Sequence, residues 1–326
     1  MAFLLSFLAR RLAQGLLIVL IVSFAIFAVL RLVPGDPARL VLGPMASDAV
    51  VEATSRAMGL RDPIPVQYVR WLGRALHGDL GRSFTRARSG SQVSGSRDAG
   101  GDGDKAEVLD LLAENVPMTL QLAGLALVFA AAIAVPLGVW AGLNAGGWPD
   151  RLALYLGSVF VSVPNFWLGI VLAMVVTAQL RWIPSIGYEG FAYTILPALV
   201  IAVEMSPLFM RSLSLSVASA KRQGFVTLAE VRGLSRRRIF LRHVVRNAAV
   251  PVLNLFGVQI GALLGGVLIV EYIFNYPGFG LLTVQAVLQR DFPVIQGVAL
   301  LSACIFVAIN ILVDLVSTRI DPRLDF

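Results

Sequence analysis

Few side chains in this 326-residue chain have the types and spacing that bond-making chemistry needs. Its two histidines, His77 and His243, stand far apart, and no acidic or cysteine cluster surrounds either, so a metal-ligand set is missing. Cys304 is the one cysteine. It lies in an apolar run and reads as a small buried hydrophobe; a single thiol cannot close an internal disulfide. A phosphate-cradling loop needs G-x-x-x-x-G-K-[ST], and neither lysine, Lys105 or Lys221, has that context. No Ser/His/Asp set or paired carboxylate faces a plausible site. What remains is charge in apolar surroundings: Glu204 in ILPALVIAVEMSPLFMRS, and six arginines (Arg232, Arg236, Arg237, Arg238, Arg242 and Arg246) between two apolar runs. These residues predict no catalytic, cofactor-binding or metal site in the chain, which is therefore not itself an enzyme.

The elements that must carry those charges are set by composition. The chain is 57% hydrophobic and 14% charged with mean hydropathy +0.79, against about 45–50% and about 25% for soluble domains. A spanning helix needs roughly 20 mostly apolar residues. Six such runs are found, at roughly 12–30, 117–142, 152–179, 194–217, 248–272 and 294–316. The first follows Arg10 and Arg11 but is longer than a secretory h-region of about 7–15 residues and ends in RLVPGDP, so a retained helix is expected. All six are helical, because an open sheet cannot satisfy its backbone in lipid. The fold class is thus an all-α integral membrane protein with six transmembrane helices. Pro136, Pro164, Pro197, Pro207 and Pro251 fall within or beside spans and predict kinks or local unwinding. GVWAG (138–142) and GALLGG (261–266) have the small-xxx-small spacing of close helix approach, either inside the subunit or at a dimer contact.

The net charge, 27 − 20 = +7, is placed as topology requires. The connection between the fourth and fifth spans holds Lys221, Arg222 and the six arginines against Glu230 alone, and Arg10 and Arg11 flank the first span. By the positive-inside rule both termini and this connection are cytoplasmic, and the connections between spans 1 and 2, 3 and 4, and 5 and 6 are extracytoplasmic. In the first of these, Ser47 is a candidate N-cap for one short helix. Val66, Val69, Leu72 and Leu76 recur at helical spacing in a second. Residues 85–105 are rich in Gly, Ser and charge and predict a flexible loop.

In FVTLAEVRGLSRRRIFLRHVVRN the pattern is helix, turn, helix. Gly233 suits a left-handed helix end, Ser235 can cap the next helix, and Ile239, Val244 and Val245 supply a partial apolar face. Such a basic helix can lie on anionic lipid or dock into a partner protein; nucleic acid is remote for a loop tied to a membrane. The run Thr227–Leu228–Ala229, then Gly233, then Pro251 resembles the EAA loop of ABC importer permeases, although its first two residues are not Glu–Ala. RLVPGDPARLVLG (31–43), RDPIPVQYVRWLGRALHGDLGRSF (61–84), SVPNFWLGI (162–170) and EYIFNYPGFGLLTVQAVLQRDFPVIQG (271–297) resemble, in order, the DppB/OppB-type permease subunits of peptide ABC importers, the binding-protein-dependent transport system inner membrane components.

That resemblance implies a type I (MetI-like) importer fold. It divides the chain into an N-terminal transmembrane helix (1–31), an extracytoplasmic segment (32–113), a permease core (108–317) with a coupling loop at 218–247, and a cytoplasmic tail (318–326). It implies a paired, related permease subunit, two ATP-binding subunits that hold the ATP and magnesium, and an extracytoplasmic substrate-binding protein, all at the inner membrane of a prokaryote. Thr227, Leu228, Ala229, Glu230, Gly233 and Leu234 would form the part that enters the ATPase. Asn275, Arg290 and Asp291 are candidate contacts for the binding protein or partner permease, with a plain solvated loop as the alternative. Glu204 and Asn165 are candidates for the translocation path. A carboxylate at mid-span needs a partner or water, and Glu204 equally suits a structural pairing with Arg211; Asn165 can hydrogen-bond across helices. Pro277, Gly278 and Gly280 read as turn formers. The same resemblance covers dipeptide, oligopeptide, glutathione and nickel importers. Two other classes stay open on residues alone: a stand-alone secondary transporter, which should show repeats and paired mid-span charges, and a membrane-anchored scaffold.

Overall fold

Apolar runs long enough to cross a bilayer become helices because lipid offers their backbone no other partner. The structure is a computed structural model and describes residues 2–32, 37–43, 45–87 and 105–320. Four helices are each long and apolar enough to span: Ala9–Leu32, Val108–Leu143, Ala192–Lys221 and Phe292–Val316. Two sharply bent helix pairs raise the number to as many as six. Most of the 85–105 loop, and residues 321–326 of the tail, lie outside the described residues.

The chain forms two compact units, Met1–Pro117 with Leu282–Val307, and Met118–Leu281 with Ala308–Phe326. In the first, α1 (Ala2–Leu32) is followed by α2 (Pro37–Leu42), α3 (Asp48–Ala57) and α4 (Ile64–Leu76). Strands β1 (Arg82–Ala87) and β2 (Lys105–Glu107) then pair antiparallel. Ser47 occupies the N-cap position of α3 with extended torsions, but its side chain makes no cap hydrogen bond. Helix α4 does not bury the face its aliphatic spacing predicts. Gln67, Tyr68 and Trp71 are buried, whereas Val69 is 67% and Leu76 79% exposed. Tyr68 and Trp71 cluster with Phe27 of α1 at centroid distances of 5.6 and 5.7 Å, and Ser23 Oγ and Tyr68 OH lie 2.8 Å apart. Two large rings bury more apolar area than a row of valines, so the aromatic face wins. Cys304, expected to be buried, is exposed on α13 (Phe292–Ile320). A spanning helix is apolar on covered and uncovered sides alike, so hydropathy could not place it.

The second unit holds most of α5 (Val108–Leu143), then α6 (Trp148–Ser162), α7 (Asn165–Leu172, continued by a π-helical stretch to Gln179), α8 (Ala192–Lys221), α9 (Gly224–Val231), α10 (Arg236–Ile239) and α11 (Val245–Phe274). The single third span expected at 152–179 is in fact two helices bent by 87°. Val163 is extended (φ −93°, ψ 115°), as a residue before proline tends to be, and Pro164 brings no N–H to continue α6. Pro136, Pro197, Pro207 and Pro251 lie instead inside continuous helices. A second bend, of 81°, separates α11 from α12 (Phe279–Gln289), where Asn275 is left-handed at φ 47°.

The GVWAG spacing serves packing inside the subunit. A Cβ on Gly138 would lie 2.8 Å from Met210 O, and one on Gly142 would lie 2.6 Å from Ser214 O, so the α5 backbone rests directly on α8. Gly142→Val should force α5 and α8 apart at an overpacking cost of about 1–3 kcal/mol. The expected result is a lower melting temperature for the detergent-purified chain, whereas the same change at Gly124, where a Cβ meets nothing, should leave it near wild type.

Candidate functional site

The basic connection folds as a compact turn. Val226 and Ala229 of α9 are buried with Val217 and Ala220 of α8 and with Ile239, Val244 and Ala248 beyond the turn, while Leu234 and Phe240 pack around them. The turn closes as a Schellman cap: Gly233 N donates to Glu230 O at 2.9 Å, and Leu234 N donates to Ala229 O at 3.1 Å. Gly233 has φ 71°, and a Cβ there would meet nothing within 4 Å, so the requirement is one of torsion and not of space. Ser235 sits at the N-cap of α10 without a side-chain bond.

The residues picked out of this turn by sequence do not share one face. Thr227, Leu228, Glu230 and Gly233 are exposed; Leu234 is half-buried; Ala229 is only 7% exposed and packs inward. The outward apolar surface is Leu228, 61% exposed, together with Val231, 81% exposed. Val231 escaped the sequence reading because the motif stresses the alanine and glycine; its helical step of three from Leu228 was the available signal. All six arginines from Arg232 to Arg246 are exposed around this surface.

Glu204 and Asn165, far apart in sequence, meet. Asn165 Nδ2 donates to Glu204 Oε2 at 2.7 Å across α7 and α8. Gly266 of α11 completes the place, since a Cβ there would lie 3.4 Å from Glu204 Oε2. Among the described residues no ion pair joins Glu204 to Arg211, and both are exposed on the same helix. A charge at mid-span costs about 2.5–3.5 kcal/mol on insertion scales, so this surface does not belong against hydrocarbon.

The segment around α12 divides its residues by role. Asn275 and Arg290 are exposed and left-handed, at φ 47° and 55°. Asp291 is 1% exposed. Its carboxylate accepts hydrogen bonds from Ser83 Oγ, Phe84 N at 3.1 Å and Thr85 Oγ1 at 2.9 Å, so it anchors β1. Arg86 of the same strand donates to Gln285, and burial pushes its guanidinium pKa down.

A second carboxylate, Glu271, was overlooked beside YPGFG. It is fully buried, with Oε1 accepting from Thr119 Oγ1 at 2.6 Å and Oε2 accepting from Gly280 N at 2.6 Å and Leu281 N at 3.1 Å. It therefore caps α12 at the end where the helix dipole favours negative charge. Gly278 is explained by this carboxylate, and Gly280 by the α11 backbone together with it, more than by turn geometry, since their φ values are not left-handed. A Cβ on Gly278 would lie 2.2 Å from Glu271 Oε1, and one on Gly280 would lie 2.5 Å from Leu268 Cα.

Comparison with known proteins decides among the classes left open. Residues 134–326 match the model of the binding-protein-dependent transport system inner membrane component, and residues 4–123 match that of the N-terminal part of such membrane components. The chain belongs to this family. It is a permease subunit of an ABC importer, a multi-pass inner membrane protein that acts with ATP-binding and substrate-binding partners and carries no catalytic role of its own. The permease is 32% identical to a probable peptide ABC transporter permease of Sinorhizobium fredii, over 98% of this chain and 99% of that protein. It is 35% identical to a putative peptide transport system permease of Brucella suis, over 97% and 98%. It is 33% identical to the glutathione transport system permease GsiC of Salmonella paratyphi A, over 99% of each. Among solved structures, the inward-facing MetNI methionine ABC transporter covers 64% of this permease and 96% of its own chain, with TM-score 0.56 and 17% identity, and bears on the fold alone.

Removing the permease's buried carboxylate tests its capping role. Glu271→Ala leaves three donors unsatisfied, each at about 1–3 kcal/mol, and should sharply lower the melting temperature and membrane yield. Glu271→Gln keeps an acceptor for the two backbone N–H groups and should retain much of both.

Proposed function

We propose that this permease carries short peptides, with glutathione-like peptides as the second reading, across the inner membrane by alternating access. It does so as one half of a heterodimer with a related permease, above two ATP-binding subunits. Peptide and glutathione permeases are similar to it over nearly its whole length and at comparable identity, which supports that substrate class. Both termini and the α9 turn lie in the cytoplasm in this reading, because the arginine-rich connection is there. Asn275 and Arg290 then face the extracytoplasmic partners.

The observation that carries the mechanism is the α9 turn. Leu228 and Val231 stand outward on a short helix whose inner face is locked to α8 through Val226 and Ala229. An ATPase cleft that takes up those two side chains moves α8 with them, and rigid-body rocking of packed helices then opens one side of the membrane or the other. The arginines hold the loop inside and lie near anionic headgroups.

Reconstitution with the two ATPase subunits, the second permease and the binding protein provides the test, read as ATP-dependent uptake of a labelled dipeptide. Leu228→Asp with Val231→Asp should abolish uptake and loosen ATPase association while membrane yield stays near wild type. Gly233→Val places a β-branched residue at positive φ, at roughly 1–2 kcal/mol or more, and should uncouple ATP hydrolysis from uptake. Full ATP-dependent uptake by both variants would defeat the coupling assignment.

A further inference from the structure

Between Glu204 and Ser219 one stripe of α8 stays open while the residues around it are packed away. Glu204, Leu208, Arg211, Leu215 and Ser219 are exposed, and every residue between them is buried or half-buried. Steps of four, three, four and four place them on one helical face. Two of the five are oppositely charged and lie well inside a span. Glu204 Oε2 is held by Asn165, whereas among the described residues its Oε1 accepts no hydrogen bond. Arg211 has neither a hydrogen-bond nor an ion-pair partner among them. Charges left so open in a membrane-spanning helix face water or a polar ligand, not lipid.

The spacing of the pair says what that ligand is. Seven residues at a rise of about 1.5 Å put Glu204 and Arg211 about 10 Å apart along the axis. An extended chain of three residues reaches about 10–11 Å. We propose that this stripe is the substrate track of the permease, on which Glu204 takes the ammonium end and Arg211 the carboxylate end of a short zwitterionic peptide. Asn165 positions the Glu204 carboxylate and leaves its second oxygen for the substrate. Gly266 of α11 stands against this carboxylate, where a Cβ would lie 3.4 Å from Oε2 and 3.9 Å from Oε1, so the absence of a side chain leaves the open oxygen uncovered on that side. Leu208, one turn from each charge, offers the middle of the peptide an apolar surface that does not discriminate between side chains. This deepens the peptide-importer reading and rests on it.

The test uses the assembled transporter without nucleotide, carrying Leu208→Cys in a Cys304→Ser background, and a charged, water-soluble methanethiosulfonate reagent. Labelling should be much faster than at Ile201→Cys, which replaces a residue only 1% exposed. Trialanine at twice its Kd should slow it about threefold, as competition at one site requires. N-acetyl-trialanine and trialanine amide each lose one charge-assisted contact and should need about tenfold more peptide for the same protection. Glu204→Gln should erase the difference between free and N-acetylated peptide, and Arg211→Gln the difference between free peptide and amide. Labelling no faster than at Ile201→Cys, or equal protection by free and capped peptides, would overturn the assignment. Trialanine uptake by the wild-type assembly separates the two levels. If uptake is present, either of those results defeats the track alone; if it is absent, the peptide reading falls and the track with it.

Discussion

With no water in the hydrocarbon layer, every helix that breaks there must find partners for its freed N–H and C=O groups inside the protein. Much of what is specific in this permease follows from how its breaks are resolved. At Val163–Pro164 a proline arrives with no N–H to satisfy, so α6 ends and α7 begins at nearly a right angle. Between α11 and α12 the open N–H groups of Gly280 and Leu281 are taken by the Glu271 carboxylate, and that of Phe279 by Thr119 Oγ1. At the third break, after α9, the chain is near water and the cap is made by the backbone itself through the left-handed Gly233.

Composition was enough to reveal the apolar runs, and the glycine of the basic turn marked its αL residue. A glycine just past a short helix is where a left-handed end is needed. The direction in which a side chain points was much less legible. Ala229 packs inward because a short helix on a membrane protein still needs a small core. Val69 and Leu76 point outward because Tyr68 and Trp71 had larger surfaces to bury. Glu271 was hidden by its position at the end of a span, where an acidic residue reads as a loop boundary. Its role became visible only when Thr119 and Gly278, 152 and seven positions away in sequence, came within reach.

The three carboxylates with most to say illustrate how surroundings divide the work of one functional group. Asp291 and Glu271 are buried, surrounded by donors and committed to holding backbone in place. Glu204 has one donor and an open side. A saturated carboxylate gains nothing from a visiting cation, whereas a half-satisfied one does; the difference lies in donor number, since the chemistry of the group is the same throughout.

The contact of Gly138 and Gly142 with the α8 backbone has a mechanical side. Where two helices touch through side chains, rotamer changes let one slide past the other. Backbone resting on carbonyl oxygens offers no such slack. The α5–α8 pair is accordingly a stiff strut, and a displacement of one helix is passed to the other. Whatever yields during the transport cycle has to be elsewhere, as at the elbow of Pro164, which brings no N–H to tie α7 back to α6.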